Sequence, residues 1–420
     1  MRRVPVRATR WRWVAIIPLL LLAARSTTAG PAATPIEVNW SDIVQIVDQH
    51  PRLAAGTDRV DAANGGVAAA GAIPNPTLEA TVGQGRERHG VGVGVQWGLS
   101  LGVPLGWIAQ RGSRIDAAKA QVEIAKAERE ALRRDVLLQL RLLFWNQAYE
   151  QARAAALELL EAQTKALVQA VRRRVENGEA RPIEVTLVEI ELEQVTSELD
   201  SARISLEARR AELSLWLRTS KGEAIVTVAE LDIVPAVIDL GRALEKTRAT
   251  HPEVLIAGAR TRRLAAEVDT ERMARVPSFS LEGFAQFDLD QRGYGAGVAV
   301  DLPLWNWNTG SIARAGASLA AGEKQAAATS LEIEAAVIDA QAACSAAVAT
   351  ATRFKDNVVP RSEFAASTME RTYQLGEASL LEVLDARRTL LASRRHYLSA
   401  LAQAQIDCSR LGALIGEEPR

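Results

Sequence analysis

From Gln110 to Glu176 the chain contains no proline, and no glycine after Gly112. Apolar residues recur along it at helical spacing, and one unbroken helix is the reading that fits. At 1.5 Å per residue, about 65 helical residues reach roughly 100 Å, several times the width of a small domain. Gly178 and Pro182 follow as a helix stop and a helix start, so a second helix from Pro182 to Leu217 is expected to fold back on the first. Its residues Val185, Val188, Leu192, Val195, Leu199, Ala202 and Leu206 are spaced three and four apart, a coiled-coil seam that Arg209 interrupts. The same design returns from Ile312 to Leu375, across Gly376, and on from Leu380 to Leu414. Hairpins of this length exceed anything a globular core uses.

The recurrence is general. His50-Pro51 returns as His251-Pro252, Pro74 to Glu79 as Pro277 to Glu282, and Pro104-Leu105 as Pro303-Leu304. Gly178-Glu179-Ala180 with Glu184-Val185 returns as Gly376-Glu377-Ala378 with Glu382-Val383. Landmarks in the same order define two similar half-proteins, at 30–220 and 239–420, with 221–238 as the connector.

Each half reads as helix, strand, strand and two long helices. Every odd position from Val91 to Leu105 is apolar, while the even positions are Gly, Gln, Ser or Pro. Tyr294 to Leu304 alternates in the same way. Partner strands are expected at Thr77 to Gly83 and Ser278 to Gln286, joined through polar loops at Gln84 to Gly90 and Phe287 to Gly293. The alternative, a half-wet edge of a soluble sandwich, fits the glycine-rich polar face and the unusual length less well.

The first residues point to export. Arg2, Arg3, Arg7, Arg10 and Arg12 precede an apolar run from Trp13 to Ala24, and Thr27-Thr28-Ala29 offers small residues for a signal peptidase. The expectation is a cleaved signal peptide over 1–29. The run is shorter than the roughly 18 residues of a membrane span, which disfavours an uncleaved anchor. No cysteine stands near the cleavage site to carry a lipid, and no later segment reads as a transmembrane helix. A membrane position would then depend on strands. Four amphipathic strands cannot close a barrel, and open edges have no partners in lipid. Two copies would give eight strands with a filled interior, and three would give twelve with an aqueous lumen. Trp107, Trp305 and Trp307, just beyond the Pro-Leu strand ends, suit either a membrane-interface girdle or ordinary packing.

Duplicated short strands alternating with very long hairpins resemble the TolC family of outer-membrane efflux factors over nearly the whole mature chain. Pro74-Asn75-Pro76-x-Leu78 and the stretch from Thr372 to Ala386 are similar to that family's most characteristic motifs. The resemblance implies a mainly α protein with a small transmembrane β part. It implies a homotrimer in which a twelve-stranded outer-membrane barrel continues into a periplasmic α-helical barrel. Its partners would be a periplasmic adaptor (membrane-fusion protein), an inner-membrane RND-type pump and outer-membrane lipid. It also implies a periplasmic gate at the hairpin tips, where Tyr373, Glu382 and Asp385 match one aromatic and two acidic positions. Ala378 stands where well-known members carry an arginine, leaving Glu184, the expected acidic partner, without one opposite.

Chemistry is hard to place on this chain. With 50 Lys+Arg against 51 Asp+Glu there is no basic excess for nucleic acid. His50 and His251 precede prolines at helix starts, and His396 has no His or Cys three or four residues away. No phosphate loop or Gly-x-Ser-x-Gly occurs. The expectation is a passive duct without catalytic, cofactor-binding or metal-ligating residues. The Ala-Ile-Pro-Asn-Pro block and Gln110-Arg111-Gly112 look most like the heavy-metal branch of the family, against drug efflux or type I secretion. A periplasmic adaptor would share the coiled coils but carry a single hairpin. Cys344 and Cys408 lie 32 residues either side of Gly376, nearly opposite in an antiparallel hairpin, as a disulfide or as two buried thiols.

Overall fold

The computed structural model describes residues 36–86, 93–218, 225–229, 231–288 and 291–417; the expected signal peptide lies outside them. Strand β1 (Ile36–Val38) leads into α1 (Trp40–Ile46) and α2 (Pro51–Gly71). A hairpin of β2 (Thr77–Arg86) and β3 (Val93–Pro104) follows. The long helices α3 (Trp107–Glu176) and α4 (Pro182–Leu217) complete the first half. After β4 (Ile225–Thr227), the second half repeats the order with α5 (Leu240–Thr250), α6 (Pro252–Met273), β5 (Ser278–Asp288) and β6 (Gln291–Asp301). It ends with α7 (Thr309–Arg353), α8 (Val359–Gln374) and α9 (Leu380–Ile415).

Helix α3 runs 70 residues without a break. Both hairpins turn through the same motif. Gly178 at φ 76° and Gly376 at φ 79° adopt the left-handed conformation that glycine tolerates best. The N–H of Glu179 reaches back to the Arg174 carbonyl at 2.8 Å, and that of Glu377 to Thr372 at 3.0 Å. These bonds satisfy carbonyls that a helix end would otherwise leave bare. His50 and His251 are helix caps, each accepting through Nδ1 the N–H two residues on, at 3.3 and 3.2 Å. Burial and the nearby Arg134 push the His251 pKa down, which keeps the imidazole neutral as an acceptor.

Several elements differ from the sequence expectations. The polar residues expected to form a loop at Phe287 to Gly293 instead extend the ladder, with Phe287 opposite Arg292 and Asp288 opposite Gln291. Strand β2 likewise runs past Gly83 to Arg86. At its other end β6 stops at Asp301 rather than Leu304. Pro303 has no N–H to give, and the Leu304 N–H turns back to Leu302 at 2.8 Å. The connector contains β4, paired in parallel with β1 from Ile36 opposite Ile225 to Val38 opposite Thr227. The helix expected to be continuous from Ile312 to Leu375 is interrupted by a π-helical turn at Phe354–Val358. Pro360, two residues on, cannot donate to the carbonyl four residues back, and the wider turn accommodates it.

The four long strands form one antiparallel sheet in the order β2-β3-β5-β6, so the two halves join at β3–β5 and both outer edges stay open. Small clusters hold the helices together. Val136, Leu140 and Phe144 of α3 pack with Ile43, Leu53, Leu213 and Ile225 near the connector. Ala154 and Leu157 pack on Leu199, Ala202 and Leu206 midway along the first hairpin. The α7–α8 stretch is apolar enough in composition to cross a bilayer, at a mean hydropathy of 1.2 in its most apolar window, of which 17% is buried. This qualifies the expectation that no later helix would read as a span. The apolarity comes largely from alanine, which suits close packing against other helices rather than lipid.

Candidate functional site

The register divides the sheet into two unlike faces. Residues directly opposite in a ladder share a face, so Thr77, Glu79 and Thr81 lie with Gly102, Ser100 and Gly98. Gln286 and Glu282 join them from β5, and Gly297 and Asp301 from β6. The other face carries Leu78, Val82, Val95, Trp97, Leu99, Leu101, Leu281, Phe287, Val298 and Val300. Many of these are exposed in the single chain, and Trp97 stacks on Phe287 at 6.0 Å. The polar face holds the carboxylates Glu79, Glu282, Asp288 and Asp301 and, among the described strand residues, no lysine or arginine. Ser278 donates to Asp301 at 2.7 Å, and the Gln96 amide donates to Asp288. Trp305 is 92% exposed and Trp307 is exposed as well, its carbonyl accepting from Arg275 at 2.9 Å. Trp107 is instead half-buried as the first residue of α3, beneath the Arg111 guanidinium at 5.9 Å.

At the opposite end of the molecule both hairpin tips meet. Tyr373, only 7% exposed, packs among Val168, Val171, Val188, Leu380, Val383 and Leu384. Arg174 of α3 stands over its ring at 4.4 Å and donates to its carbonyl at 3.1 Å. The Tyr373 hydroxyl is buried beside Arg174 and Glu184 but makes no well-formed hydrogen bond to either. Burial pushes its pKa up; the charge of Arg174 opposes this and that of Glu184 adds to it. Higher along the hairpins, Arg388 of α9 donates to Glu191 of α4 at 2.6 Å, a second link between the two halves.

The acidic residues singled out from sequence have more local duties than a gate requires. Glu382 is the third residue of α9. It accepts the Ser379 N–H at 2.7 Å and the Ser379 hydroxyl at 2.9 Å, and these bonds hold its carboxyl below the usual range. Glu184 occupies the equivalent place in α4 and accepts the Arg181 N–H at 3.3 Å. The arginine that reaches it, Arg181 with Nε at 3.6 Å, comes from its own helix start. Asp385 is exposed one turn beyond Glu382 and contributes to the raised pKa of Arg388. Arg387 is committed elsewhere, to Glu370 at 2.6 Å.

Arg174 and the Glu191–Arg388 pair escaped the sequence reading. Arg174 ends a run of three arginines near a helix C-terminus, where cations are favoured for the helix dipole alone, so composition does not say which one turns inward. Cys344 and Cys408 are joined as a disulfide with Cα atoms 4.7 Å apart, packed with Ala243, Val337, Leu411 and Ile415. Among the described residues no group of three or more His, Cys, Asp or Glu side chains could hold a metal ion.

Comparison with known proteins places this geometry. The chain is 27% identical over 371 residues to the cobalt-zinc-cadmium resistance protein CzcC of Cupriavidus metallidurans, covering 87% of this chain and 86% of that one. A solved structure of CusC superimposes with a TM-score of 0.76 at 16% identity, covering 94% of this chain and 96% of the other. The outer membrane protein VceC of Vibrio cholerae gives 0.71 at 19% identity, covering 90% and 96%. The model of the family described as outer membrane efflux protein matches twice, over residues 43–217 and 243–417. The match takes in the long hairpins and the four long strands, and the chain belongs to the outer membrane efflux protein family, whose members are passive conduits of the outer membrane rather than enzymes.

Proposed function

We propose that three copies assemble into a twelve-stranded outer-membrane barrel continued by a periplasmic helical tube. The assembly is the exit duct of a tripartite efflux system, and heavy-metal cations reach it from an RND-type pump through a periplasmic adaptor. The observation that carries the cation part of this reading is the polar sheet face, with four carboxylates and no basic residue among its described positions. Turned into a common lumen by threefold symmetry, that face attracts cations and repels anions. The relative named for cobalt, zinc and cadmium resistance supports the same substrate class. The open edges of β2 and β6 and the small-residue surface of α7 support closure by further copies.

In this assembly Tyr373, Glu184, Glu382 and Asp385 lie at the closing periplasmic end, and Trp107, Trp305 and Trp307 at the membrane's inner interface. The test is reversal potential in planar bilayers under a salt gradient, paired with metal tolerance of a strain lacking the gene. Cation preference and lost tolerance to zinc, cobalt or cadmium are the expected results. Anion preference, or loss of drug tolerance alone, would overturn the metal assignment.

A further inference from the structure

Helix α7 is the least secured of the long helices. Fifteen residues of α3 are buried along its 70, whereas along the 45 of α7 only Val337, Cys344 and Ala351 are. Helix α6 backs the upper part of α7, where Gly322 faces Leu264, and Arg248 of α5 pairs with Glu334 at 2.7 Å. Beyond Glu334 the helix depends on a seam one side chain wide, whose buried residues recur every seven positions and face α9. Gly376 lies midway between Val337 and Ile415, between Cys344 and Cys408, and between Ala351 and Leu401, so the two helices meet in those pairs. Leu231 of the connector covers the lowest pair. The disulfide stands at the centre, both cysteines buried and packed with Ala243 of α5. Away from α9, Leu331, Ala335, Ile338, Ala342 and Ala349 form an exposed apolar stripe at helical spacing. At the matching places of the first hairpin Asn146 and Arg210 replace the cysteines, and Val136, Leu140 and Phe144 fill a broad core nearby.

We propose that the Cys344–Cys408 disulfide is an assembly staple: it holds α7 on α9 in the single chain, with the apolar stripe turned outward, and copies join only through chains that carry it. Oxidation then precedes assembly. As the two sulfurs join, the thiols give up two protons and two electrons, and a protein disulfide of the oxidising compartment takes them by thiol–disulfide exchange and becomes a dithiol. The bridge spans 64 positions, so it removes much of the freedom that α7 and α9 would have as separate segments. Once neighbouring copies cover the stripe, the tie is no longer what keeps α7 in place, and the burial of both sulfurs shields it from reductant. The joining of copies rests on the three-copy duct proposed above, whereas the holding of α7 does not.

Pulse-labelled chains followed on gels without reductant test the order, and the disulfide should appear before the trimer. Cys344→Ala with Cys408→Ala should lower the trimer yield about tenfold or more. Adding Ala351→Cys and Leu401→Cys to that variant moves the bridge one heptad along the same seam and should restore the yield. Dithiothreitol during synthesis should mimic the alanine pair, and dithiothreitol after assembly should leave the trimer whole. Full trimer yield from the alanine pair, or a relocated bridge that forms and rescues nothing, would overturn the staple. Amide exchange across residues 331–353 of the unassembled full chain in detergent decides the matter independently. Exchange should be about tenfold or more faster in the alanine pair than in oxidised wild type, and equal rates would overturn the staple whatever the trimer does. Wild type that never forms a trimer would instead sink the duct reading and leave the exchange result standing.

Discussion

Tyr373 offers a way to separate a ring from a hydroxyl. Its ring fills the cluster where both hairpin tips meet, and its hydroxyl is buried without a well-formed hydrogen bond. Removing the ring with Tyr373→Ala should cost about 3 to 4 kcal/mol, the usual range for a large buried aromatic. Loss of the Arg174 contact adds about 1 kcal/mol. Tyr373→Phe keeps the packing and the cation above it, and removes a desolvated hydroxyl whose unmet bond costs about 1 kcal/mol or more. Amide hydrogen exchange in the last turn of α8 and the first turn of α9 reads these differences as local opening. At about 1.4 kcal/mol per tenfold, the alanine variant should exchange about a thousandfold faster, and the phenylalanine variant no faster than wild type. Conductance should follow the same order, with Ala raised and Phe unchanged. If Phe opened the tip as much as Ala did, the hydroxyl would be making an essential bond, and the packing argument would fail.

Further outcomes follow from the same geometry. Glu382→Gln should preserve the cap at the start of α9 and Glu382→Ala should lose it, so exchange near Ser379 separates capping from charge, which both variants remove. Because the folded Glu382 pKa is depressed, its contribution is complete above about pH 4.5 and disappears as the pH falls through its lower folded value, which acid titration of the same amides would show. Replacing Glu79, Glu282, Asp288 and Asp301 together by their amides should reduce cation preference in bilayers without changing the mass of the detergent-purified trimer; unchanged selectivity would place the filter elsewhere. Glu184→Ala should leave conductance near wild type, whereas Arg174→Ala, which frees the Tyr373 ring and carbonyl, should raise it.

Much of the architecture was legible because it rests on long-range regularity. Sixty-odd residues without a helix breaker leave little choice, and fifteen alternating positions fix a strand and its faces. Three-residue strands such as β1 and β4 carry too few positions to show a period, so the pairing that binds the connector to the chain's start was invisible. The polar stretch around Asp288 and Arg292 looked like a turn because composition does not distinguish a loop from the wet end of a ladder. Ser379-Leu380-Leu381-Glu382 has the spacing of a capping box, and at that position the local signature explains the acid more directly than a role at the gate. The ring-to-guanidinium contact at Tyr373 depends on how two hairpins slide past each other, which no local pattern encodes.

The joint between β3 and β5 reaches back to the duplication itself. It links the second strand of one unit to the first strand of the next, and the strands left free, β6 and β2, are of the same two kinds. In the proposed trimer a seam between neighbouring chains would therefore repeat the seam inside one, and to the backbone a ring of three chains would be a ring of six units. An ancestor with a single unit would have had to change all six hairpins together. Once two units were fused, one could acquire what its twin lacks. Asn146 and Arg210 occupy the first-half places of Cys344 and Cys408, and Ala162 that of Pro360. The first hairpin could stay a plain strut while the second gained a disulfide and a π-helical turn.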